Sequence, residues 1–174
     1  MKNQKTVVVL AEDQYEDLEL WYPVLRMREA GMTVVIVGPE AGQTYTSKHG
    51  YPVTSDQSAD AIDPARVHAL IVPGGYAPDL MRRYPEMVSL VRRVFERGGI
   101  VAAICHGGWM PASAGIVAGK RMTSFSSIRD DMVHAGAKWV DQEAVQDGQL
   151  ITSRNPHDLP AFCSMILRAL GTGN

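Results

Sequence analysis

The sequence has few cysteines, little net charge and no long apolar run, and each shortage excludes a class of protein. Its 174 residues hold two cysteines and carry a formal net charge of −2, from 17 lysines and arginines against 19 aspartates and glutamates. Cys105 and Cys163 stand far apart, so we expect neither a disulfide framework nor a metal site, and both thiols should stay reduced. Because the charges are nearly balanced, the chain has no excess of basic residues of the kind that binds nucleic acid or an anionic membrane. No apolar run approaches the ~18 residues of a membrane span and no targeting segment is recognisable, so we expect a cytoplasmic protein.

What the chain does contain is enough apolar material for one compact core, since hydrophobic residues make up 45% of it. Its length lies within the roughly 100–200 residues of a typical domain, and we predict a single domain over residues 1–174. Short apolar runs rich in β-branched residues recur along it, as is typical of strands covered on both faces. They occupy residues 6–10, 33–37, 69–72, 100–104 and 149–152.

Helical patterns separate these runs. Residues 16–30 carry Leu18, Trp21, Tyr22 and Leu25 at helical spacing, residues 85–97 lie between a proline and two glycines, and Asp158 is the expected N-cap of a last helix. Residues 38–66 are rich in turn-forming residues and predict a short antiparallel excursion. Strands that alternate with helices predict an α/β fold, a doubly wound three-layer sandwich with a mainly parallel sheet.

Ligands of such folds bind beyond the carboxyl ends of the strands, where three unusual loops follow strands, at residues 12–17, 73–79 and 105–109. The third follows the pattern of a nucleophile elbow, G-x-S-x-G, with Cys105 in place of serine and Ala103 in place of the first glycine. Helix amides after the turn would lower the pKa of the thiol and could stabilise an oxyanion. A buried structural cysteine is the alternative, which we prefer only for Cys163 on its amphipathic helix.

Two histidines are candidates for the base that serves this thiol. His106 is adjacent in sequence, but consecutive residues at a turn usually point apart, and a histidine held by turn hydrogen bonds is an equally good interpretation. His157, which follows a strand, ranks second.

The remaining candidates lie in the same three loops. Gly74 and Gly75 allow close approach of a substrate, and the amides of Gly75 and His106 are the expected oxyanion donors. Gly107 and Trp109 complete the predicted substrate-binding set. Glu16 opens its helix at the same edge, where one acidic side chain could hydrogen-bond the thiolate while the others favour the helix dipole.

At these residues the chain resembles the ThiJ/PfpI superfamily, of the flavodoxin-like, class I glutamine amidotransferase-like fold. The resemblance covers nearly the whole chain, and its closest branch is that of the PfpI-type intracellular proteases, which includes glyoxalases and protein deglycases. Its motifs are Glu16-Asp17-Leu18-Glu19-Leu20, Lys48-His49-Gly50, Pro73-Gly74-Gly75, Ala103-Ile104-Cys105-His106-Gly107, Asp130-Asp131-Met132, Gly136-Ala137-Lys138-Trp139-Val140-Asp141 and Thr152-Ser153-Arg154.

The resemblance implies roles for four residues. Cys105 would be the nucleophile with His106 as its neighbour, and Glu16 would hydrogen-bond the sulfur and shuttle a proton. Asp79, one methylene shorter than the family's usual glutamate, would reach His106 of an adjacent subunit, so that His106 turns away from its own thiol. A homodimer, or a hexamer built from dimers, would then complete the site.

The resulting hypothesis is a cofactor-free enzyme that acts on reactive carbonyls, of the glyoxalase III or protein deglycase type, and converts methylglyoxal or glyoxal to a hydroxy acid. An intracellular cysteine peptidase of the PfpI type is one alternative, with a peptide as substrate. A redox-sensing or chaperone-like stress protein is another, because an accessible low-pKa thiol oxidises easily. A phosphoacceptor module, suggested by Glu12-Asp13, lacks the second aspartate it needs, since Pro73-Gly74-Gly75 occupies that position.

Overall fold

The computed structural model of the protein describes residues 4–172, so the predicted domain 1–174 extends beyond the described residues at both ends. The strands are β1 (Thr6–Leu10), β2 (Thr33–Gly38), β3 (Thr44–Thr46), β4 (Pro52–Thr54), β5 (Gln57–Ser58), β6 (Ala69–Val72), β7 (Ile100–Ile104), β8 (Arg121–Met122), β9 (Lys138–Trp139), β10 (Ala144–Asp147) and β11 (Leu150–Ser153). The helices are α1 (Asp17–Glu29), α2 (Ala77–Met81), α3 (Pro85–Glu96), α4 (Trp109–Ser113), α5 (Arg129–His134) and α6 (Leu159–Ala169). Short 3₁₀ turns include Cys105–Gly108, Ser126–Ile128 and Pro156–Asp158.

One sheet of seven strands, in the order β10-β11-β7-β6-β1-β2-β5, runs through the protein. Every neighbouring pair in it is parallel except β10 with β11. Because the central strands are covered on both faces, β6 and β7 are buried at every residue, as their continuous apolar runs predict. The predicted doubly wound sandwich is confirmed, as are the five predicted strands within one residue and the antiparallel excursion, which is the β3–β4 hairpin.

The order of the strands places the functional edge. The chain leaves β1 toward β2 on one side, while β6 and β7 lie on the other, so the connections diverge between β1 and β6. A crevice at this switch point is where open α/β sheets bind ligands. The fold therefore predicts a binding site at the loops of residues 11–16 and 73–76, which follow these two strands.

Helix α1 exposes to solvent three of the four apolar residues whose spacing predicts it. Leu18 is 56% exposed and Leu25 is 59% exposed, and Tyr22 beside them is also exposed. The buried face instead carries Leu20, Val24 and Met27, together with Glu19 and Pro23. The helix thus has apolar residues on both faces, which a simple count of apolar spacing cannot separate.

Asp158 stands at the N-cap of α6 as predicted, but its carboxylate makes no capping hydrogen bond. Its two oxygens accept from the Arg154 guanidinium instead, at 2.8 and 3.1 Å. Proline at position 160, near the start of the helix, removes one backbone N–H that would otherwise need a partner. Among residues 4–172, no helix combines the length and apolar character that a membrane crossing requires.

Candidate active site

A pocket of about 490 Å³ opens at the switch point of the sheet. The loops after β1 and β6 are joined there by the Tyr76 amide, which donates to the Gln14 carbonyl over 2.9 Å, and by the Glu16 amide, which donates to the Gly74 carbonyl over 3.2 Å. The pocket is therefore built on two strand ends that hold each other in place. Its lining residues are Gln14, Glu16, Glu19, Lys48, Gly75, Tyr76, Cys105, His106, Phe125 and Pro156.

Cys105 sits on a sharp turn between β7 and α4, as the elbow pattern predicts. Its φ is +60°, in the left-handed region that non-glycine residues seldom occupy, and among the described residues only Gln14 shares this property. Gly107 lets the turn pack tightly, because a Cβ there would lie 2.6 Å from the Val72 carbonyl oxygen. The structure thus gives Gly107 a packing function rather than the substrate contact that we predicted.

The backbone amides of Gly75 and His106 lie close enough to the Cys105 sulfur to lower the pKa of the thiol. These are the residues that the sequence suggests as oxyanion donors, and the structure brings both amides to the thiol. Gly75 has a φ of +76°, and a side chain there would collide with the backbone of the loop after β1. The turn into α2 therefore depends on glycine at this position.

The carboxyl group beside the thiol belongs to Glu19, not to Glu16 as the resemblance implied. Glu19 is fully buried beside the Cys105 thiol, whose pKa its charge helps to raise, and its Oε2 accepts a hydrogen bond of 2.8 Å from the Gly74 amide, while Oε1 has no hydrogen-bond partner among the described residues. Glu16 instead caps α1, since its Oε2 accepts from the Glu19 amide over 2.9 Å. Its other oxygen lies 3.8 Å from the Lys48 ammonium.

A sequence signal for this difference exists. A polar side chain at the N-cap of a helix is typically engaged by the backbone of the first turn. Glu16 is thereby occupied, and Glu19, one turn further along, projects under the loop that carries Gly74. Gly74 makes the approach possible, because a Cβ on it would overlap Glu19 Oε2 and lie 2.7 Å from Cys105 Cβ.

Burial shapes the ionisation of both groups. It raises the pKa of Glu19 from 4.5 to about 7, aided by the negative charge of Glu16. It also raises the pKa of the Cys105 thiol to about 12, aided by the charge of Glu19 and opposed by the two backbone amides. The predicted lowering of the thiol pKa is therefore absent while Glu19 is ionised. Burial alone still raises that pKa when Glu19 takes up a proton, but the repulsion disappears and the Glu19 O–H can donate to the sulfur, which favours the thiolate relative to the state with an ionised Glu19.

His106 turns toward its own thiol. Its Nδ1 lies 3.2 Å from Cys105 Sγ, and its Nε2 lies 3.1 Å from Ser127 Oγ. The ring stacks on Phe125, with centroids 5.1 Å apart. Burial lowers the pKa of His106, which favours the neutral ring. The expectation that His106 turns away from its own thiol is wrong for this chain, since both ring nitrogens have partners within it.

Three other candidates lie outside the pocket lining. Trp109 donates from its indole N–H to Asp131 over 2.8 Å and places its ring edge against His106, so it supports that ring rather than a substrate. Asp79 pairs with Arg83 at 2.5 Å, and this contact holds the pKa of Asp79 below its usual range. His157 is exposed, and of its segment it is Pro156 that borders the pocket.

One group of potential metal ligands also lies beside the pocket. The ligand atoms of Glu16, Asp17 and His49 fall within 4.8 Å of one another. Asp17 is engaged by His49 at 2.7 Å and by the Ser47 hydroxyl at 2.7 Å, and the Lys48 ammonium nearby opposes a second cation. We assign no metal to this group.

The chain is similar to known proteins of one family over nearly its whole length. A family model described as "DJ-1/PfpI family" matches residues 5–169. "Deglycase PH1704" of Pyrococcus horikoshii is 43% identical over 164 residues, which are 94% of this chain and 98% of that protein. "Protein/nucleic acid deglycase 2" of Escherichia coli is 41% identical over 169 residues, which are 96% of this chain and 98% of that protein.

A solved structure from Anabaena variabilis agrees with the fold. It is a two-domain protein with dj-1/thij/pfpi-like and ferritin-like domains, and it matches with a TM-score of 0.96 at 38% identity. The match covers 98% of this chain and 49% of that one, so the chain corresponds to about half of the longer protein. The family resemblance that the motifs suggested is confirmed, and the deglycase names agree with an enzyme of the predicted type.

Proposed function

Since the chain belongs to the DJ-1/PfpI family, we propose that it is an enzyme that uses Cys105 to attack reactive carbonyl compounds such as methylglyoxal and glyoxal, free or attached to protein amines. One arrangement carries this proposal: at the switch-point pocket the Cys105 thiol meets a buried carboxyl, an imidazole and two backbone amides. Close relatives are named deglycases, which supports the same substrate class.

The first step is addition of sulfur to the aldehyde carbon. Cys105 gives its proton to His106 or Glu19 and forms a C–S bond, while the carbonyl electron pair moves onto oxygen. Amides of Gly75 and His106, which lie near the sulfur, stabilise that oxyanion. Reprotonation of the oxygen gives a hemithioacetal.

The second step moves two protons within the adduct. A base removes the proton on the carbon bonded to sulfur to give an enediolate and returns it to the neighbouring carbonyl carbon, while the hydroxyl proton of the first carbon passes to the oxygen of the second, which converts the hemithioacetal to a thioester of the hydroxy acid. The first carbon is oxidised and the second is reduced, so no external oxidant is required. Water then cleaves the thioester and frees the thiol. Glu19 suits the proton transfer, because burial brings its pKa to about 7, near the working pH.

The test is turnover of methylglyoxal followed by enzymatic assay of lactate. We expect lactate from the wild-type protein and only background from Cys105→Ser. Cys163→Ser should retain activity, because Cys163 lies on the buried face of α6 in the core. Lactate at equal rates from wild type and Cys105→Ser would refute the proposal.

Two alternatives have their own readouts in the same preparation. Cleavage of unstructured peptides that depends on Cys105, without turnover of carbonyls, would favour the peptidase. Selective peroxide oxidation of Cys105 without turnover of either substrate would favour a redox sensor. Burial disfavours this last reading, because only 8% of Cys105 is exposed and its resting thiol has a raised pKa.

For the assembly we propose a homo-oligomer that packs α1 against α1 of a second copy. The exposed stripe formed by Leu18, Tyr22 and Leu25 is apolar, and exposed apolar patches commonly mark interfaces. Acidic Asp17 lies in the first turn of α1 and basic Arg28 in the last. An antiparallel pair of these helices would match opposite charges at both ends as well as the two helix dipoles, and this favours a second copy as the occupant.

Leu18→Lys with Leu25→Lys should halve the mass measured by light scattering at micromolar concentration, because two charges would be buried in the proposed interface. Val133→Lys, at another exposed apolar residue on α5, is the matched control and should leave the mass unchanged. A wild-type protein that is monomeric at this concentration would contradict the proposal.

A contribution of Asp79 to the site of an adjacent subunit belongs to the same proposal, and so does the choice between a dimer and a hexamer. So do a cytoplasmic location, where Cys105 would stay reduced, and a lack of affinity for nucleic acid and membranes. The Escherichia coli relative includes nucleic acid in its name. Glycated nucleotides should therefore be tested as substrates beside glycated amino acids, separately from any binding of nucleic acid.

A further inference from the structure

Both nitrogens of the His106 ring have partners within this chain. Nδ1 lies 3.2 Å from Cys105 Sγ, and Nε2 lies 3.1 Å from the hydroxyl of Ser127. A line of three side chains thus runs from the nucleophile to the surface. Ser127 is absent from the candidates that the sequence suggests, because a serine in a turn carries no recognisable signal.

The surroundings fix this line in place. Phe125 stacks on the imidazole with an angle of 27° between the planes, and Trp109 meets it edge-on at 5.2 Å. The Phe125 amide donates to the Cys105 carbonyl over 3.2 Å, which ties the segment before Ser127 to the elbow itself. Ile128, the residue after Ser127, is buried and packs close to Gly108 of the elbow turn. Ser127 therefore stands between two anchored residues.

We infer that Ser127 is a positioning residue, which holds His106 in the tautomer whose unprotonated Nδ1 faces the Cys105 thiol. In that tautomer the hydroxyl oxygen accepts a hydrogen bond from Nε2–H over the 3.1 Å contact, and the thiol can donate to the unprotonated Nδ1 over 3.2 Å. When Cys105 is activated, its S–H bond breaks, the proton moves to Nδ1, and the electron pair remains on sulfur. The inference rests on the proposed role of Cys105 as nucleophile.

A hydroxyl group suits this task differently from a carboxylate. A carboxylate beside Nε2 would stabilise the imidazolium strongly, as in triads that contain aspartate. Within one chain the neutral hydroxyl orients the ring without adding charge, so His106 can return its proton later in the cycle, and a carboxylate beside Nε2 would have to come from Asp79 of an adjacent subunit. Ser127 is exposed, so water can replace part of its hydrogen bond, and we expect an effect of moderate size.

The test follows alkylation of Cys105 by chloroacetamide, a neutral reagent, as a function of pH. Ser127→Ala should slow the reaction at pH 7 by about three- to ten-fold, the size expected for the loss of one ordinary hydrogen bond. Ser127→Thr keeps a hydroxyl and should restore the rate. Ser126→Ala, at the exposed neighbour in the same turn, is the matched control and should equal wild type. Equal pH profiles for wild type and Ser127→Ala, or a Thr variant as slow as the Ala variant, would overturn the inference.

A second measurement needs no variant. Nitrogen-15 NMR of the wild-type imidazole at pH 8 should show the His106 proton on Nε2, and a proton on Nδ1 would overturn the inference. Neither readout depends on carbonyl turnover. A protein that forms no lactate but shows the slowed alkylation would refute the proposed function and leave the role of Ser127 intact.

Discussion

The two cysteines of this chain have nearly the same resting ionisation and very different surroundings. Burial is the main cause that raises the pKa of Cys105 to about 12, and it raises that of Cys163 to about 12 as well. The pKa of Cys105, however, is also changed by Glu19 and by the amides of Gly75 and His106. Among the described residues, the pKa of Cys163 is changed, besides burial, only by the charge of Arg26. The pKa of a resting thiol thus fails to distinguish a nucleophile from a core residue, while the polar groups beside the sulfur do distinguish them.

The largest difference between the two thiols should be their accessibility to reagents. Cys105 borders the pocket, while Cys163 is 1% exposed on the buried face of α6. Alkylation of Cys163 therefore requires local opening of that helix, and we expect Cys105 to react at least about 100-fold faster in the native protein. Mass spectrometry of peptides after timed quenching measures both rates. If Cys105 and Cys163 are alkylated at similar rates in native buffer, and both much more slowly than in the unfolded chain, the predicted difference in accessibility is wrong.

The next effect concerns the carboxyl that only Cys105 has. Glu19→Gln removes a charge that adds to the effect of burial on the pKa of Cys105, so the pH at which Cys105 reacts with chloroacetamide should fall. Methylglyoxal turnover should nevertheless drop by about 100-fold, because an amide cannot carry the proton within the adduct. The thiol would then be easier to ionise and the enzyme slower.

Glu16→Gln is the matched control for this variant. Its side chain caps α1 and does not touch the sulfur, so turnover should fall far less than in Glu19→Gln. If Glu16→Gln is the slower enzyme of the two, the assignment of Glu19 as the proton carrier is wrong.

A smaller effect should appear in stability. The folded state raises the pKa of Glu19 from 4.5 to about 7, so folding binds its proton more tightly. The resulting stabilisation is fully present below pH 4.5 and is lost as the pH rises through 7. Relative to wild type, Glu19→Gln should therefore gain about 2 kcal/mol in free energy of unfolding between pH 5 and pH 8. Urea titrations at the two pH values measure the gain. If the difference in free energy of unfolding between Glu19→Gln and wild type is the same at both pH values, the raised pKa of Glu19 is wrong.

The sequence was sufficient to predict the sheet, because its strands are continuous apolar runs separated by glycine, proline and helical spacing. It was also sufficient to place Cys105 at an elbow, since the turn requires small residues around the nucleophile, and the family follows from the same motifs. What it left open was the direction of side chains. Glu16 and Glu19 differ by one helical turn, and only the position of Gly74 decides which of them reaches the sulfur.

The orientation of His106 was predicted wrongly and the exposure of the stripe on α1 was not predicted, for related reasons. Spacing along a helix identifies residues that share a face, but it does not say whether that face meets the core. The direction of the His106 ring depends on its contacts with Cys105 and Ser127, which no residue pattern states directly. In each case the missing information was the contact between segments distant in the sequence.

The left-handed backbone of Cys105 has a consequence for attempts to engineer this protein. A non-glycine residue in that conformation costs the fold on the order of 1 kcal/mol, which glycine would recover. Selection of variants for heat resistance alone would therefore reward the loss of the very side chain that performs the chemistry. A library screened on this scaffold should be sorted by turnover before it is sorted by melting temperature.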